Sequence, residues 1–322
     1  MNDTARVSGL LDLKSLNFGD FLQGNDQAQL SFANSLTTTL QTLGVAKLSM
    51  DDVPELEMLH LFNMAKEFFA LDIASKMVAA HPAQPSPHRG YSFVGQEKLA
   101  AVTGFAKDRL SDSMMQDSKE TFDLGLPGDA EFPNRWPKDE HIPHFKAVVQ
   151  QHYKTLERVQ LKVLEALSLG LGLKRDIFLP LHEKSHHEMR LLHYPSTTAG
   201  DLTGDKTRIA EHTDFGSITL LFQDQVGGLE GRPLECLVMV GDCFQRWTGN
   251  YIRAIPHRVT TPYKTQGGDP DDDIPERFSI AFFGKPNRDA RVGNLAHPQF
   301  QAVQYDSITA GEYNNMKLVK TY

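Results

Sequence analysis

The second half of the chain consists of short β-rich runs with no helical pattern between them, and this feature constrains the fold most. The runs, bounded by Gly, Pro, Asp and Asn, are HEMRLLHYP (187–195), SITLLFQD (217–224), ECLVMVGD (235–242), YIRAIPHRVTT (251–261) and RFSIAFFGKP (277–286). Short strands that follow one another without intervening helices favour an antiparallel sandwich or barrel over a parallel sheet.

The first half has the three- and four-residue apolar spacing of amphipathic helices. A helix over 27–44 ends at a glycine, and a second over 54–71 begins with a proline. The longest helix is predicted from near Pro143 to Gly170. We expect these helices to pack on one face of the β core, so the predicted fold class is α+β.

One continuous domain is expected rather than two. Residues 1–130 are predicted to form a helical N-terminal region that packs on the core and is not independent of it. Residues 131–322 are predicted to hold the long helix and the β core, which would carry the functional site.

Composition narrows the class of partner. A net charge of −8 disfavours binding to a phosphate backbone, and no run reaches the roughly 18 apolar residues of a membrane span. The N-terminus lacks a basic segment followed by an apolar one, and the only two cysteines fit a reducing compartment. We expect a cytoplasmic protein with a small-molecule partner and without nucleic acid or membrane partners; the sequence does not predict an oligomeric state.

The stretch AEHTDFGS (210–217) places a histidine and an aspartate two residues apart. On a strand, His212 and Asp214 would point to the same side, and His257 in the run PHRV is the best third candidate. Two imidazoles and one carboxylate leave open positions on Fe(II), as non-haem oxygenases need. An HxD pair alone is weak evidence, because it occurs by chance and the chain has 13 histidines.

A second pair follows the same spacing near the last β run. Arg277 and Ser279 would share a strand face, and Tyr194 could supply another hydroxyl. A guanidinium fork beside a hydroxyl suits a carboxylate. These residues therefore fit a dicarboxylic keto acid whose far carboxylate meets Arg277.

The order of these motifs resembles the catalytic core of the Fe(II)/2-oxoglutarate-dependent dioxygenases related to isopenicillin N synthase. The similar segments are MRLLHYPS (189–196), EHTDFGSITLLFQD (211–224), NYIRAIPHRVTTP (250–262) and ERFSIAFFGKPN (276–287), with AKEFFALDIASK (65–76), RGYSFVGQE (89–97) and TAGEYNNMKLVKTY (309–322) outside the core. The resemblance covers the chain from about residue 11 onward.

The resemblance implies a double-stranded β-helix (jelly-roll) core flanked by helices. It implies that His212, Asp214 and His257 bind Fe(II), that 2-oxoglutarate and O2 are cosubstrates, and that a small metabolite is oxidised with release of succinate and CO2. Arg277, Ser279 and Tyr194 would form the 2-oxoglutarate site. The residues expected to line the substrate pocket are Tyr91, Phe93, Phe122 and Trp247, the last with packing as an alternative.

Two departures from the family pattern and two alternatives remain. Leu192 stands where many plant relatives have an Asn, and the segment between Glu230 and Cys236 is shorter than in most relatives. One alternative function is an iron-dependent oxidase that does not use 2-oxoglutarate, and another is a non-catalytic metal- or ligand-binding protein. For His186, His187 and His193, surface or supporting roles are expected rather than iron ligation.

Overall fold

The computed structural model describes residues 13–51, 53, 57–82, 87–96, 116–202, 206–224, 235–259, 269 and 271–318. The helices are α1 (Gly19–Leu22), α2 (Asp26–Leu43), α3 (Met58–Ala70), α4 (Ile73–Met77), α5 (Phe145–Gly170), α6 (Asp242–Trp247) and α7 (Ala310–Leu318). The strands are β1 (Ser15–Asn17), β2 (Val45–Ser49), β3 (Gly90–Ser92), β4 (Gln116–Asp117), β5 (Glu120–Gly125), β6 (Glu188–Tyr194), β7 (Thr197–Thr198), β8 (Lys206–Thr207), β9 (Ile209–His212), β10 (Ile218–Gln223), β11 (Glu235–Val240), β12 (His257–Val259), β13 (Asp273–Ile274) and β14 (Arg277–Gly284).

The predicted helices form where capping residues define their ends. Asn25 accepts the backbone N–H of Ala28 at the start of α2. Gly44 closes the helix at φ +72°, with its N–H bonded to the Leu40 carbonyl, in the left-handed conformation that favours glycine. The long helix α5 ends at Gly170, as predicted.

Eight strands form one large sheet in the order β1-β2-β11-β10-β14-β6-β5-β3. Three two-stranded sheets accompany it, β12-β9, β13-β7 and β4-β8. Apolar residues of the β9–β12 pair, Ile209 and Val259, pack with Leu192, Tyr194 and Ala281 of the large sheet. This opposition of a large and a small sheet is the predicted double-stranded β-helix.

The two faces of the large sheet have different surroundings. Leu191, Ile280 and Phe282 belong to the main hydrophobic core, which also contains the buried faces of α2, α3 and α5. Their strand neighbours Leu192 and Ala281 point to the opposite side, toward the small sheet. We call this second side the inner face, and the site lies against it.

The N-terminal region is less purely helical than predicted. Strands β1, β2, β3 and β5 hydrogen-bond into the same large sheet as β6, β10, β11 and β14. These strands are short, and they form by pairing with distant partners rather than from a local sequence pattern.

The boundary at residue 130 stays a prediction, and the segment between Glu230 and Cys236 lies largely outside the described residues. None of the helices in the described part of the chain has the length and apolar character that a membrane span requires.

Candidate active site

His212, Asp214 and His257 converge in space. One donor atom from each lies within 4.8 Å of the others, the only such group of three or more His, Cys, Asp or Glu residues among those described. The Asp214 Oδ1 atom is 3.8 Å from His212 Nε2 and 3.9 Å from His257 Nε2. The two histidines are direct partners across the β9–β12 pair. The sheet register therefore brings together two residues that are distant in sequence.

Backbone hydrogen bonds hold the Asp214–Ser217 turn, and close backbone packing explains the glycine that follows the HxD pair. β9 ends at His212, so Asp214 lies just beyond the strand rather than on it. Its carbonyl accepts the N–H of Asp242 (2.8 Å), and the Gly216 carbonyl accepts the N–H of Cys243 (2.9 Å). A Cβ at Gly216 would lie 2.4 Å from a backbone carbonyl oxygen, so only glycine fits.

Neighbouring groups orient two of the three side chains. The Thr219 hydroxyl donates to Asp214 Oδ2 at 2.6 Å, which leaves Oδ1 to face both histidines. His257 Nδ1 lies 3.1 Å from the Ile255 carbonyl, and because a carbonyl only accepts, that nitrogen carries the proton. Nε2 of His257 is then free to coordinate a metal, an arrangement usual for metal-binding histidines.

Arg277, Ser279 and Tyr194 also meet on the inner face. Arg277 and Tyr194 are register partners in β14 and β6, and the guanidinium carbon is 4.9 Å from the Tyr194 ring centroid. Arg277 Nη1 is 3.3 Å from Ser279 Oγ, and Nη2 donates to Gln223 Oε1 at 2.7 Å. Arg277 is 1% exposed, yet its Nε has no hydrogen-bond partner.

These residues suit both expected groups. Metal bonds of about 2.0–2.2 Å put neighbouring donors about 3 Å apart, so small rotations of the imidazoles would close the triad around an ion. A buried guanidinium donor without a partner costs free energy unless an acceptor reaches it. A ligand carboxylate at Arg277 would satisfy it.

Two charged features of the site were not predicted from the sequence. Arg208 is 1% exposed and lies 5.7 Å from the Tyr194 ring centroid. Arg190 forms a buried ion pair with Asp123 through Nε–Oδ1 (2.6 Å) and Nη2–Oδ2 (3.2 Å). Arg190 has the strand parity of Leu192, an inner-face position, which was the available signal, whereas Arg208 lies at a bend before β9 and gave no such signal.

The four residues predicted to line the substrate pocket do not gather at the site. Tyr91 and Phe122 are register partners whose side chains belong to the main core, so both face the helices. Trp247 is fully buried in the same core, and its Nε1 donates to the Arg291 carbonyl. Phe93 is 45% exposed. Packing, the alternative considered for Trp247, accounts for it.

The three other histidines considered from sequence lie outside the metal cluster. His193 contacts Glu120 and Glu276 through its two ring nitrogens. His187 is fully buried rather than on the surface, and its ring packs on Phe282.

A cavity of about 280 Å³ borders the turn that carries Asp214. Phe215 and Gly216 form part of its wall, and Arg89, Glu188 and Lys285 supply charges. Glu188 pairs with both Arg89 and Lys285. Ion pairs therefore line part of the cavity beside this turn.

Comparison with known proteins identifies the class. Residues 10–139 match the family model for the N-terminal region of non-haem dioxygenases in morphine synthesis, and residues 185–286 match that of the 2OG-Fe(II) oxygenase superfamily. The chain belongs to this superfamily. It is an oxidoreductase, a non-haem dioxygenase that requires Fe(II), 2-oxoglutarate and O2 and acts on a small molecule.

Fungal proteins are similar to this chain over almost their whole length. Proline hydroxylase buaE of Petromyces alliaceus is 39% identical, with 97% of this chain and 100% of that protein covered. The 2-oxoglutarate-dependent dioxygenase gloF of Glarea lozoyensis is 36% identical, with 96% and 99% covered. A full-length Neurospora crassa protein, whose crystal structure is a complex with alpha-KG, has a TM-score of 0.81 at 27% identity, with 95% and 96% covered.

Proposed function

We propose that this dioxygenase hydroxylates a small amino-acid-type metabolite, with His212, Asp214 and His257 as the iron ligands. The convergence of their three donor atoms within 4.8 Å is the observation that carries the assignment. Arg277, Ser279 and Tyr194 bind the far carboxylate of 2-oxoglutarate. The reaction belongs to secondary metabolism and takes place in the cytoplasm, without nucleic acid or membrane partners.

The chemistry divides between the bound groups and the chain. Fe(II) with 2-oxoglutarate and O2 supplies an oxidation strong enough for an unactivated C–H bond, with release of succinate and CO2. The protein fixes the ligand geometry through Thr219 and Ile255 and keeps water away with an apolar wall that includes Leu192 and Ala281. Because Leu192 lies in this wall, the Asn contact of plant relatives to the inner end of the cosubstrate is absent.

The dicarboxylate site favours 2-oxoglutarate use over the oxidase alternative. Arg277 is buried beside Ser279 with an unpaired donor, an environment that an anionic ligand would complete. A non-catalytic binding protein would not need the open coordination positions that two histidines and one carboxylate leave.

The ligand set is tested by binding under anaerobic conditions. Fe(II) and 2-oxoglutarate together give a visible charge-transfer band, and His257→Ala should abolish it because the metal loses one of its three protein ligands. His193→Ala is the matched control, since His193 lies outside the cluster, and it should keep the band. Retention of the band in His257→Ala and its loss in His193→Ala would refute the triad.

The amino-acid substrate class rests on a relative and on charge. The relative buaE is a proline hydroxylase, and the Arg190–Asp123 ion pair offers a cation and an anion on the inner face that match a zwitterion. The carboxylate of such a substrate would meet Arg190, and its ammonium group would meet Asp123.

Succinate release coupled to product formation should be measured with L-proline, other free amino acids and uncharged nucleobases. We expect coupling with an amino acid, and we expect Arg190→Met to raise KM for it at least about tenfold while 2-oxoglutarate binding persists. Coupling with a nucleobase but with no amino acid would contradict the substrate class and leave the oxygenase assignment intact.

A further inference from the structure

Arg208 is a buried cation whose hydrogen bonds are largely unmade. Its side chain is 1% exposed, and only Nη2 has a bond, to the Pro275 carbonyl at 2.8 Å. Nε and Nη1 are buried without a partner. A guanidinium has five N–H donors, and leaving several unpaired away from water is costly.

A second buried guanidinium lies close by. Arg208 and Arg277 are 5.7 Å and 4.9 Å from the same Tyr194 ring, measured from guanidinium carbon to ring centroid. Burial lowers the pKa of Arg208, and the positive charge of Arg277 lowers it further. Arginine nevertheless remains protonated in proteins, so two like charges are held together in the interior.

Carboxylates of the described chain offset these charges only in part. The negative charge of Asp224 raises the pKa of Arg208 and so opposes the effect of burial. The Oδ2 atom of Asp224, however, accepts the backbone N–H of Phe278. Arg277 Nη2 is bonded to the neutral amide of Gln223. Two desolvated cations with unpaired donors form a site that a ligand with a full negative charge would complete.

Arg208 is directed to the inner face of the large sheet. It lies at the bend between β8 and β9, four residues before His212. Its contact with Tyr194 confirms that orientation, since Tyr194 lies on the inner face.

We propose that Arg208 is a second cation for the far carboxylate of 2-oxoglutarate, and that the pair Arg208–Arg277 selects dicarboxylic over monocarboxylic keto acids. The proposal rests on the assignment of Arg277 to that carboxylate made above. Arg277 binds one carboxylate edge beside Ser279, and Arg208 donates to the same carboxylate. A keto acid without the far carboxylate leaves both guanidinium groups buried with unmade hydrogen bonds and no bound anion, which is the basis of the selectivity.

Binding to the Fe(II)-loaded protein without oxygen tests the proposal directly. Calorimetry should show that Arg208→Gln lowers the affinity for 2-oxoglutarate at least about tenfold, while the affinity for 2-oxobutyrate changes less than about twofold. Arg208→Lys should recover part of the loss, because it keeps the charge without the fork. The exposed Arg258, on the neighbouring strand β12, supplies the control variant Arg258→Gln, which should bind as the wild type does.

Thermal unfolding separates a ligand-binding role from a structural one. If Arg208 binds the ligand, Arg208→Gln without 2-oxoglutarate should unfold at the wild-type temperature or above, because the substitution removes a buried charge that has no anionic partner. Addition of 2-oxoglutarate should then raise the unfolding temperature of the variant less than that of the wild type. A lower ligand-free unfolding temperature of Arg208→Gln with an unchanged 2-oxoglutarate affinity would overturn the proposal. Arg208 would then stabilise the fold through its hydrogen bond to the Pro275 carbonyl. Loss of affinity in Arg277→Gln but not in Arg208→Gln also overturns it and leaves the proposed function standing. Unchanged affinity in both variants would refute the Arg277 assignment itself.

Discussion

The two carboxylate oxygens of Asp214 contact different groups. Oδ2 receives the Thr219 hydroxyl at 2.6 Å, and Oδ1 faces the two imidazoles. Thr219 is fully buried on β10, so its hydroxyl has no access to bulk water as an alternative. The hydrogen bond therefore fixes which oxygen is free for a metal, and it prevents both oxygens from turning toward it.

Thr219→Val keeps the shape of the side chain and removes the donor. We expect the Fe(II) affinity to fall about tenfold, the lower end of the usual effect of losing a group that orients a metal ligand, with an unchanged circular dichroism spectrum. Thr37→Val is a matched control, because Thr37 is buried in α2 and its hydroxyl has no hydrogen-bond partner. An Fe(II) affinity that falls equally in both variants would argue against an orienting role.

The donor atoms of the predicted triad converge in the structure, whereas the predicted pocket residues do not gather there. Strand parity explains where the pocket residues lie. His212 and Asp214 lie close together although Asp214 is beyond the end of β9. In β5, Phe122 faces the helices, whereas Thr121 and Asp123 pair with Leu192 and Arg190 on the inner face. One position along a strand reverses the face. The alternation of polar and apolar residues in ETFDLG carried this information, whereas the resemblance to relatives pointed to the aromatic residue.

At the scale of elements, two helices support the turn that carries Asp214. The first backbone N–H groups of α6 bond to the carbonyls of Asp214 and Gly216. The side chain of Asp242, at the start of α6, accepts the Tyr313 hydroxyl of α7 at 2.7 Å and lies 3.1 Å from Lys317 Nζ. α7 is thus connected through one acidic residue to the turn that carries Asp214.

Tyr313→Phe should loosen α7 without removing the site. Loss of a partly exposed hydrogen bond to a carboxylate should cost about 1 kcal/mol, so amide hydrogen exchange in 310–318 should become several times faster. The exchange of α5 should not change, and the Fe(II) affinity should fall less than in Thr219→Val. Tyr251→Phe provides the control, and equal exchange in α7 for both variants would show that the contact with Asp242 does not hold the helix.

Helices were predicted best where caps and apolar spacing agree. α2 has Asn25 and Gly44 at its two ends, and its bounds match the prediction closely. α3 has apolar residues on several sides, so apolar spacing does not define its buried face: Leu59 is 63% exposed, whereas Leu61 is buried. Strand β2 was not predicted from the sequence, because its five residues form a strand only by pairing with β11, far along the chain.

At the scale of the whole molecule, helices and jelly roll share one hydrophobic core, which also encloses two histidines. His182 and His187 are buried with their ring centroids 5.9 Å apart. Burial lowers the pKa of His182 to about 4 and that of His187 well below its usual range. Both imidazoles are therefore neutral in the folded protein near pH 7, and no local sequence pattern could have indicated a property that depends on how the layers close over them.

These buried histidines should make the folded state sensitive to mild acid. An imidazole whose pKa is lower in the folded than in the unfolded chain stabilises the fold fully above about pH 6.5, and this contribution is lost as the pH falls toward the folded value, because the unfolded chain then binds more protons. For His182 alone, the free energy of unfolding should decrease by about 2 kcal/mol between pH 7.5 and pH 5. Urea denaturation of the metal-free protein at both pH values gives the free energy of unfolding. In His182→Gln, its decrease between pH 7.5 and pH 5 should be about 2 kcal/mol smaller than in the wild type. In the control variant His60→Gln, at a half-exposed position, the decrease should equal that of the wild type. An identical pH dependence in the wild type and His182→Gln would mean that the ring can be protonated within the fold.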